Sequence, residues 1–236
     1  MAEFRNCGKC NNGWLISGDD AEKCECLIKF QEDEQNKNIV ANCNLPKDIE
    51  NYSIEKYIGS DEEGNIPKLK IFIDKFEEKF RSIHLYCFGI NATQKTTCIS
   101  WLGREIAKKG NIVNYLTMQE LTRFLCSEQF NEELSCLVEK YNDSDLLILD
   151  ESFDKSKVSI WKSGHQLPFL DEFLRKRLER NKKSTIFISN VKIEDISLDF
   201  GLSLKSLIER NCKNTCLEFK DNVSLKNDFD IKKLWE

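Results

Sequence analysis

The sequence predicts an α/β protein: a parallel sheet between two layers of helices, preceded by a small cysteine-stapled module. Three observations predict it. Apolar runs of strand length alternate with segments of helical periodicity through the later part of the chain. The first such run is followed at once by a glycine, a short polar loop and Lys95-Thr96 opening a helix. Two close cysteine pairs also stand within the first 26 residues.

A chain of 236 residues accommodates one domain of about 150–180 residues and a small appendage. With 40% hydrophobic and 32% charged residues it reads as a soluble globular protein, and only 3 Pro and 10 Gly argue against long disordered linkers. There is no internal repeat, no apolar run of membrane-spanning length, and no apolar core of a secretory signal in MAEFRNCGKC. The odd count of 11 Cys, several inside apolar segments, points to a reducing compartment and a cytoplasmic location. The net charge of −5 limits one function class. A protein held on nucleic acid by charge alone is usually basic, so DNA contact here is expected to be local, transient or shared between subunits.

The N-terminal module comes first. Cys7 and Cys10 flank Gly8-Lys9, and Cys24 and Cys26 follow after Gly13-Trp14-Leu15-Ile16-Ser17-Gly18-Asp19-Asp20, which reads as a short strand and turn. Four thiolates in tetrahedral array suit Zn²⁺, and pairs spaced by one or two residues let each loop supply two ligands. A segment so poor in apolar residues needs a staple to fold. Four Cys fill the coordination shell, which makes the expected role structural; the alternatives are four free thiols or two disulfides. Residues 1–44 are taken as this module and 45–67, punctuated by Pro46 and Pro67, as a connector. A short helix is expected after the ribbon, with Tyr52 and Tyr57 docking the connector on the next domain. Cys87, Cys98, Cys126 and Cys136 are expected on core faces, while Cys43, Cys212 and Cys216 are unassigned.

The domain at 68–236 opens with an amphipathic helix near 68–81, carrying Leu69, Ile71, Phe72, Phe76 and Phe80. The strand 83–88 then leads into Gly89-Ile90-Asn91-Ala92-Thr93-Gln94-Lys95-Thr96-Thr97 and a helix ending at Gly110. Strand, glycine loop, Lys-Thr and helix form the setting of a P-loop. Loop N–H groups from Gly89, Asn91, Ala92, Thr93 and Gln94 onward, with the helix N-terminus, cradle phosphate oxygens. Lys95 neutralises phosphate charge, and Thr96, followed by Thr97, offers a hydroxyl to Mg²⁺. Gln94 stands where the pattern has its second glycine. If that position needs a positive φ, the substitution costs about 1–2 kcal/mol. Either a working ATP site or a dead pseudo-site fits this departure.

A strand over 111–116, a helix from Met118 to about Lys140 and the strand 145–150 follow. The last ends in Asp150-Glu151, the Walker B pattern: Asp150 anchors Mg²⁺ through water and Glu151 activates the attacking water. A helix from Leu167 to about Asn181 precedes a fourth strand, 184–189, ending at Asn190. If that strand lies beside the first, Asn190 reaches the terminal phosphate; an N-cap or turn is its plainer role. Arg210 closes a helical Ser206-Leu207-Ile208-Glu209-Arg210, placed either as an arginine finger for a neighbouring subunit or as a surface residue.

Together these motifs resemble the helicase loaders of DnaC/DnaI type within the AAA+ ATPases, over nearly the whole chain. The resemblance runs through CGKCNNGW, CEC, GINATQKTT, DLLILDE, FISN and SLIER. It implies a three-layer αβα P-loop core after a zinc-ribbon domain, and no separate helical lid, since the chain ends at FDIKKLWE soon after Arg210. It also implies ATP, Mg²⁺ and Zn²⁺ as cofactors. As partners it implies a DnaB-type replicative helicase, single-stranded DNA and other copies of the chain. By matching motifs, Lys95 and Thr96 carry over as phosphate and Mg²⁺ ligands, Asp150 and Glu151 as Walker B, Asn190 as sensor and Arg210 as finger. Two other functions compete: a nonhydrolysing adaptor that keeps the fold as a scaffold, and a transposition-helper ATPase, against which the ribbon speaks.

Overall fold

The computed structural model describes residues 7–17, 20–59, 61–127, 131–158 and 166–220. A hairpin of β1 (Trp14–Ser17) and β2 (Asp20–Lys23) leads into α1 (Glu25–Asn42). Every residue of both strands is exposed, so apolar burial does not hold the hairpin. The expected turn falls partly at Gly18 and Asp19, outside the described residues. The helix after the ribbon is long, not short: 18 residues. Its sequence is polar with few periodic apolar positions, which hid it from a reading based on hydrophobic pattern.

After α1 come α2 (Asn65–Asp74), β3 (Leu85–Gly89), α3 (Lys95–Lys108), β4 (Val113–Thr117), α4 (Met118–Ser127) and α5 (Glu132–Asp143). They are followed by β5 (Leu146–Asp150), α6 (Gln166–Arg175), β6 (Ser184–Ser189), α7 (Ser197–Cys212) and β7 (Cys216–Phe219). Strands β3 to β7 form one parallel sheet in the order β4-β5-β6-β3-β7. Period-two alternation divides its side chains between two cores. Leu85, Cys87, Ile148, Ile186 and Ile188 meet α1, α2 and α3 on one face. Tyr86, Leu147, Leu149 and Phe187 meet α4 to α7 on the other. This is the expected αβα sandwich. Among the described residues no helical lid follows α7; residues 221–236, which include FDIKKLWE, lie outside them. No helix among the described residues is long and apolar enough to cross a membrane.

Several expected elements differ. The helix expected from Met118 to Lys140 is two helices, because the Asn131 carboxamide accepts from the N–H groups of Glu133 and Leu134 at 2.9 and 3.3 Å and starts α5 afresh. The helix expected near 68–81 begins earlier, at Asn65, and ends in a π turn over Phe76–Phe80; α6 likewise passes into a π turn over Lys176–Arg180. Strand β7 is an addition that the short CLEF segment did not announce. Cys87 and Cys98 are buried as expected, but Cys136 is exposed and Cys126 only partly buried. Cys43 and Cys212 are buried.

The connector is strapped down. Leu45, Ile49 and Ile54 are buried in the first core, and Tyr52 and Tyr57 pack against it as expected. Arg104 on α3 donates to the carbonyls of Ile49, Glu50 and Tyr52 at 2.5, 2.9 and 2.8 Å. The main chain at Cys43 also accepts from Tyr115 N at 2.9 Å, extending the β4 edge.

Candidate functional site

The sheet order places β3 between β6 and β7, so the loops leaving β3, β5 and β6 converge at one edge, where open α/β sheets form crevices. A cavity of about 420 Å³ lies there. It is lined by the loop and helix start from Asn91 to Thr97, by Asp150 and Glu151, by Lys157, and by Ile188, Ser189 and Asn190. Of the residues the sequence singled out for nucleotide, only Gly89 and Arg210 are absent from the lining.

Gly89 shapes the loop from behind. Its φ is 153°, and a Cβ there would collide with the Phe219 carbonyl on β7. Ala92 and Gln94 both have positive φ, 62° and 60°. The left-handed turn at Gln94 therefore exists without its glycine. The Gln94 side chain faces the connector: its Nε2 donates to the Ile58 carbonyl, and its Oε1 lies 3.5 Å from Ile58 N. A sequence scan sees only the lost glycine; the amide contact joins residues 36 apart and has no local signature.

Lys95 is buried and donates to the Gly89 and Ile90 carbonyls at 2.8 and 2.6 Å and to Thr93 Oγ1 at 3.1 Å. Burial pulls its pKa down to about 8, with the Asp150 carboxylate opposing. Its ammonium lies folded into the loop that would receive phosphate. Asp150 is also buried; its Oδ2 accepts from Thr96 Oγ1 at 3.0 Å and Tyr115 Oη at 2.6 Å, and its Oδ1 from Glu151 N at 2.7 Å. Burial and then the Asp150 charge push the Tyr115 phenol far up, so it stays a donor. Thr96 and Asp150 thus already share one oxygen-rich spot, the donor set that Mg²⁺ prefers.

Glu151 has φ 52° and its carboxylate lies 3.4 Å from Lys157 Nζ. Asn190 sits at the end of β6, which pairs with β3 as the sensor placement requires, and donates to Asp154 Oδ2 at 3.1 Å. Tyr115, Asp154 and Lys157 were missed by sequence reasoning; Tyr115 comes from β4, and Asp154 and Lys157 from the turn that follows β5. Arg210 lies elsewhere, exposed on α7 and ion-paired with Glu179.

The four N-terminal cysteines form a separate cluster, with their sulfurs within 4.8 Å of one another. Cys7 Sγ lies 3.7 Å from Cys10 Sγ and 3.6 Å from Cys24 Sγ; Cys10 and Cys26 are 3.4 Å apart. Tetrahedral Zn–S bonds of about 2.3 Å imply S···S separations near about 3.8 Å, so the donor set fits zinc. The thiols compete for protons. The Lys9 backbone and neighbouring thiols lower Cys7 to about 7, while burial and neighbouring thiols push Cys26 to about 12. Gly13, at φ 90°, lets the loop close: a Cβ there would meet the Leu27 side chain at 2.8 Å.

No family model matches the chain, and no curated protein matches it. Solved structures do. The structure of DnaI matches with a TM-score of 0.58 at 19% identity, over 75% of this chain and 92% of that one. The DnaC helicase loader gives 0.58 at 18% identity, over 74% and 100%. The replication initiator DnaA bound to AMPPCP and single-stranded DNA gives 0.58 at 16% identity, over 74% of this chain. The chain spans about half the length of the replication initiator chains it matches, 53% and 50%. The chain shares the fold of the solved DnaI and DnaC structures, a parallel sheet between two layers of helices.

Proposed function

We propose that the chain is a helicase loader, using ATP binding and hydrolysis to control placement of a DnaB-type hexameric helicase on single-stranded DNA. The observation that carries this reading is the convergence of Lys95, Thr96, Asp150, Glu151 and Asn190 on one cavity in a fold shared with such loaders. In this reading residues 1–44 form a zinc-bearing module, 45–67 the connector and 68–236 the ATPase domain. Cys7, Cys10, Cys24 and Cys26 hold Zn²⁺, which supplies the cross-link that so small a hairpin lacks.

The chain's own residues define the chemistry. Lys95 leaves its loop carbonyls to neutralise phosphate, and loop N–H groups take the remaining oxygens. Thr96 and Asp150 hold Mg²⁺, which when bound neutralises charge developing on the phosphates. Glu151 orients the attacking water and Asn190 holds the terminal phosphate or that water. Arg210 acts from a neighbouring copy. A nonhydrolysing adaptor is the second reading, favoured by Gln94 in the loop and by the Glu151–Lys157 pair.

Size-exclusion of the chain with the helicase, with and without ATP, combined with ATPase measurement with and without single-stranded DNA, tests these readings. Lys95→Ala should remove ATP binding, and Glu151→Gln should keep binding but stop turnover. A helicase complex with no hydrolysis under any condition favours the adaptor; no complex removes the loader reading.

A further inference from the structure

We propose that Lys157 is a cation for the terminal phosphate of ATP supplied by the same chain, held on Glu151 until nucleotide arrives. The inference rests on the ATP-binding reading and adds a residue to it.

Lys157 is positioned by a built turn. Phe153 and Val158 on either side of it are each 1% exposed. The Phe153 ring lies 5.7 Å from that of Phe187 and 5.4 Å from that of Phe200. The N–H groups of Lys157 and Val158 donate to the Asp154 carbonyl at 2.9 and 2.8 Å. The Asp154 carboxylate accepts from Ser156 N and Oγ at 2.9 and 2.6 Å and from Asn190 Nδ2 at 3.1 Å. The turn is thus braced to the end of β6, the strand that carries Asn190 into the cavity. Of its two lysines, Lys155 turns to Asp199 at 2.7 Å, and Lys157 lines the cavity.

The position has chemical meaning. A P-loop holds the inner phosphates, so groups facing it from β5 and β6 flank the outermost one. Glu151, Asn190 and Lys157 are those groups. The Lys157–Glu151 pair is 3.4 Å long with side chains 44% and 39% exposed, and such half-hydrated pairs are weak. A triphosphate offers more negative charge and several acceptor oxygens, so Lys157 exchanges partners. The exchange frees the Glu151 carboxylate for water. The nucleotide-free pair and the nucleotide-bound contact are alternatives for one ammonium, and a diphosphate gives it no equivalent partner.

The test is calorimetric titration of ATP and ADP, each with Mg²⁺, into the full chain and its variants. Lys157→Met should weaken ATP about tenfold while ADP stays within about twofold, as expected for losing one charge-assisted contact. Lys157→Arg should restore ATP binding. Glu151→Gln should tighten ATP modestly, and the double variant with Lys157→Met should lose that gain. Equal loss for ATP and ADP, with a lowered melting midpoint, would mean that Lys157 only supports its turn, and overturns the inference. So does unchanged ATP affinity in Lys157→Met. Wild-type chain that binds neither nucleotide removes the ATP reading itself, and this inference with it.

Discussion

Replacing Gln94 by Ala and by Gly separates two effects that one residue combines. Gln94 holds φ 60° and ψ 15° at the start of α3, a conformation that costs a side-chain-bearing residue roughly 1–2 kcal/mol. Its carboxamide also ties the connector backbone at Ile58 to the phosphate loop. One such neutral hydrogen bond stabilises by about 0.5–1.5 kcal/mol. Ala keeps the strain and loses the bond, so it should destabilise by about 1 kcal/mol, a drop of about 2–4 °C in melting midpoint for a chain of this size. Gly loses the bond but relieves the strain, so its midpoint should return to within about 3 °C of wild type. Amide exchange at Ile58 should accelerate in both variants. Because the left-handed turn is formed before nucleotide arrives, the strain belongs to folding more than to binding. The gain in ATP affinity on Gln94→Gly should therefore stay below about tenfold, about 1.4 kcal/mol. Thermal unfolding and hydrogen exchange measure both effects. Equal stability of Ala and Gly variants would refute the strain; unchanged protection at Ile58 in both would refute the tie.

The other predictions address metal, assembly and pH. Protein purified without chelators should hold one zinc per chain, and Cys24→Ser should release it and unfold the hairpin and the first turns of α1. The end of α1 should stay folded, because Val40 and Cys43 are anchored in the sheet's core; metal analysis well below one per chain contradicts this. Arg210→Ala should lower stability by less than about 1 kcal/mol, since the Glu179 pair is exposed, yet abolish ATPase stimulation by helicase and single-stranded DNA. Stimulation equal to wild type would remove the finger. His84 is buried and its pKa falls from 6.5 to about 4, through burial and then the Arg177 charge. The folded state thus binds fewer protons than the unfolded one below pH 6.5, so His84 withdraws up to roughly 3 kcal/mol of stability as pH falls from about 6.5 to 4. His84→Leu should show a shallower loss over that window in urea titrations; an unchanged slope contradicts the assignment.

The sheet strands and the glycine loop that leads into Lys95 were legible because their causes are local. Strand runs, the left-handed turn before Lys95-Thr96 and the acidic end of β5 are each written in consecutive residues, as is the cysteine spacing that brings four sulfurs together. The full length of helix α1 and the break at Asn131 escaped for an opposite reason: polar helical propensity and capping override apolar periodicity there. Strand order, and with it the meeting of β3 and β6 that carries Asn190 to the loop, follows from how the layers pack. The Gln94 side chain pairs with the Ile58 main chain, Tyr115 on β4 with Asp150 on β5, and Lys157 with Glu151 across the turn after β5. The first two join positions 36 and 35 residues apart and depend on distances set by two cores of buried side chains. The sequence by itself determined which chemical groups are present and the local turns that present them; tertiary packing decided which partner each group holds.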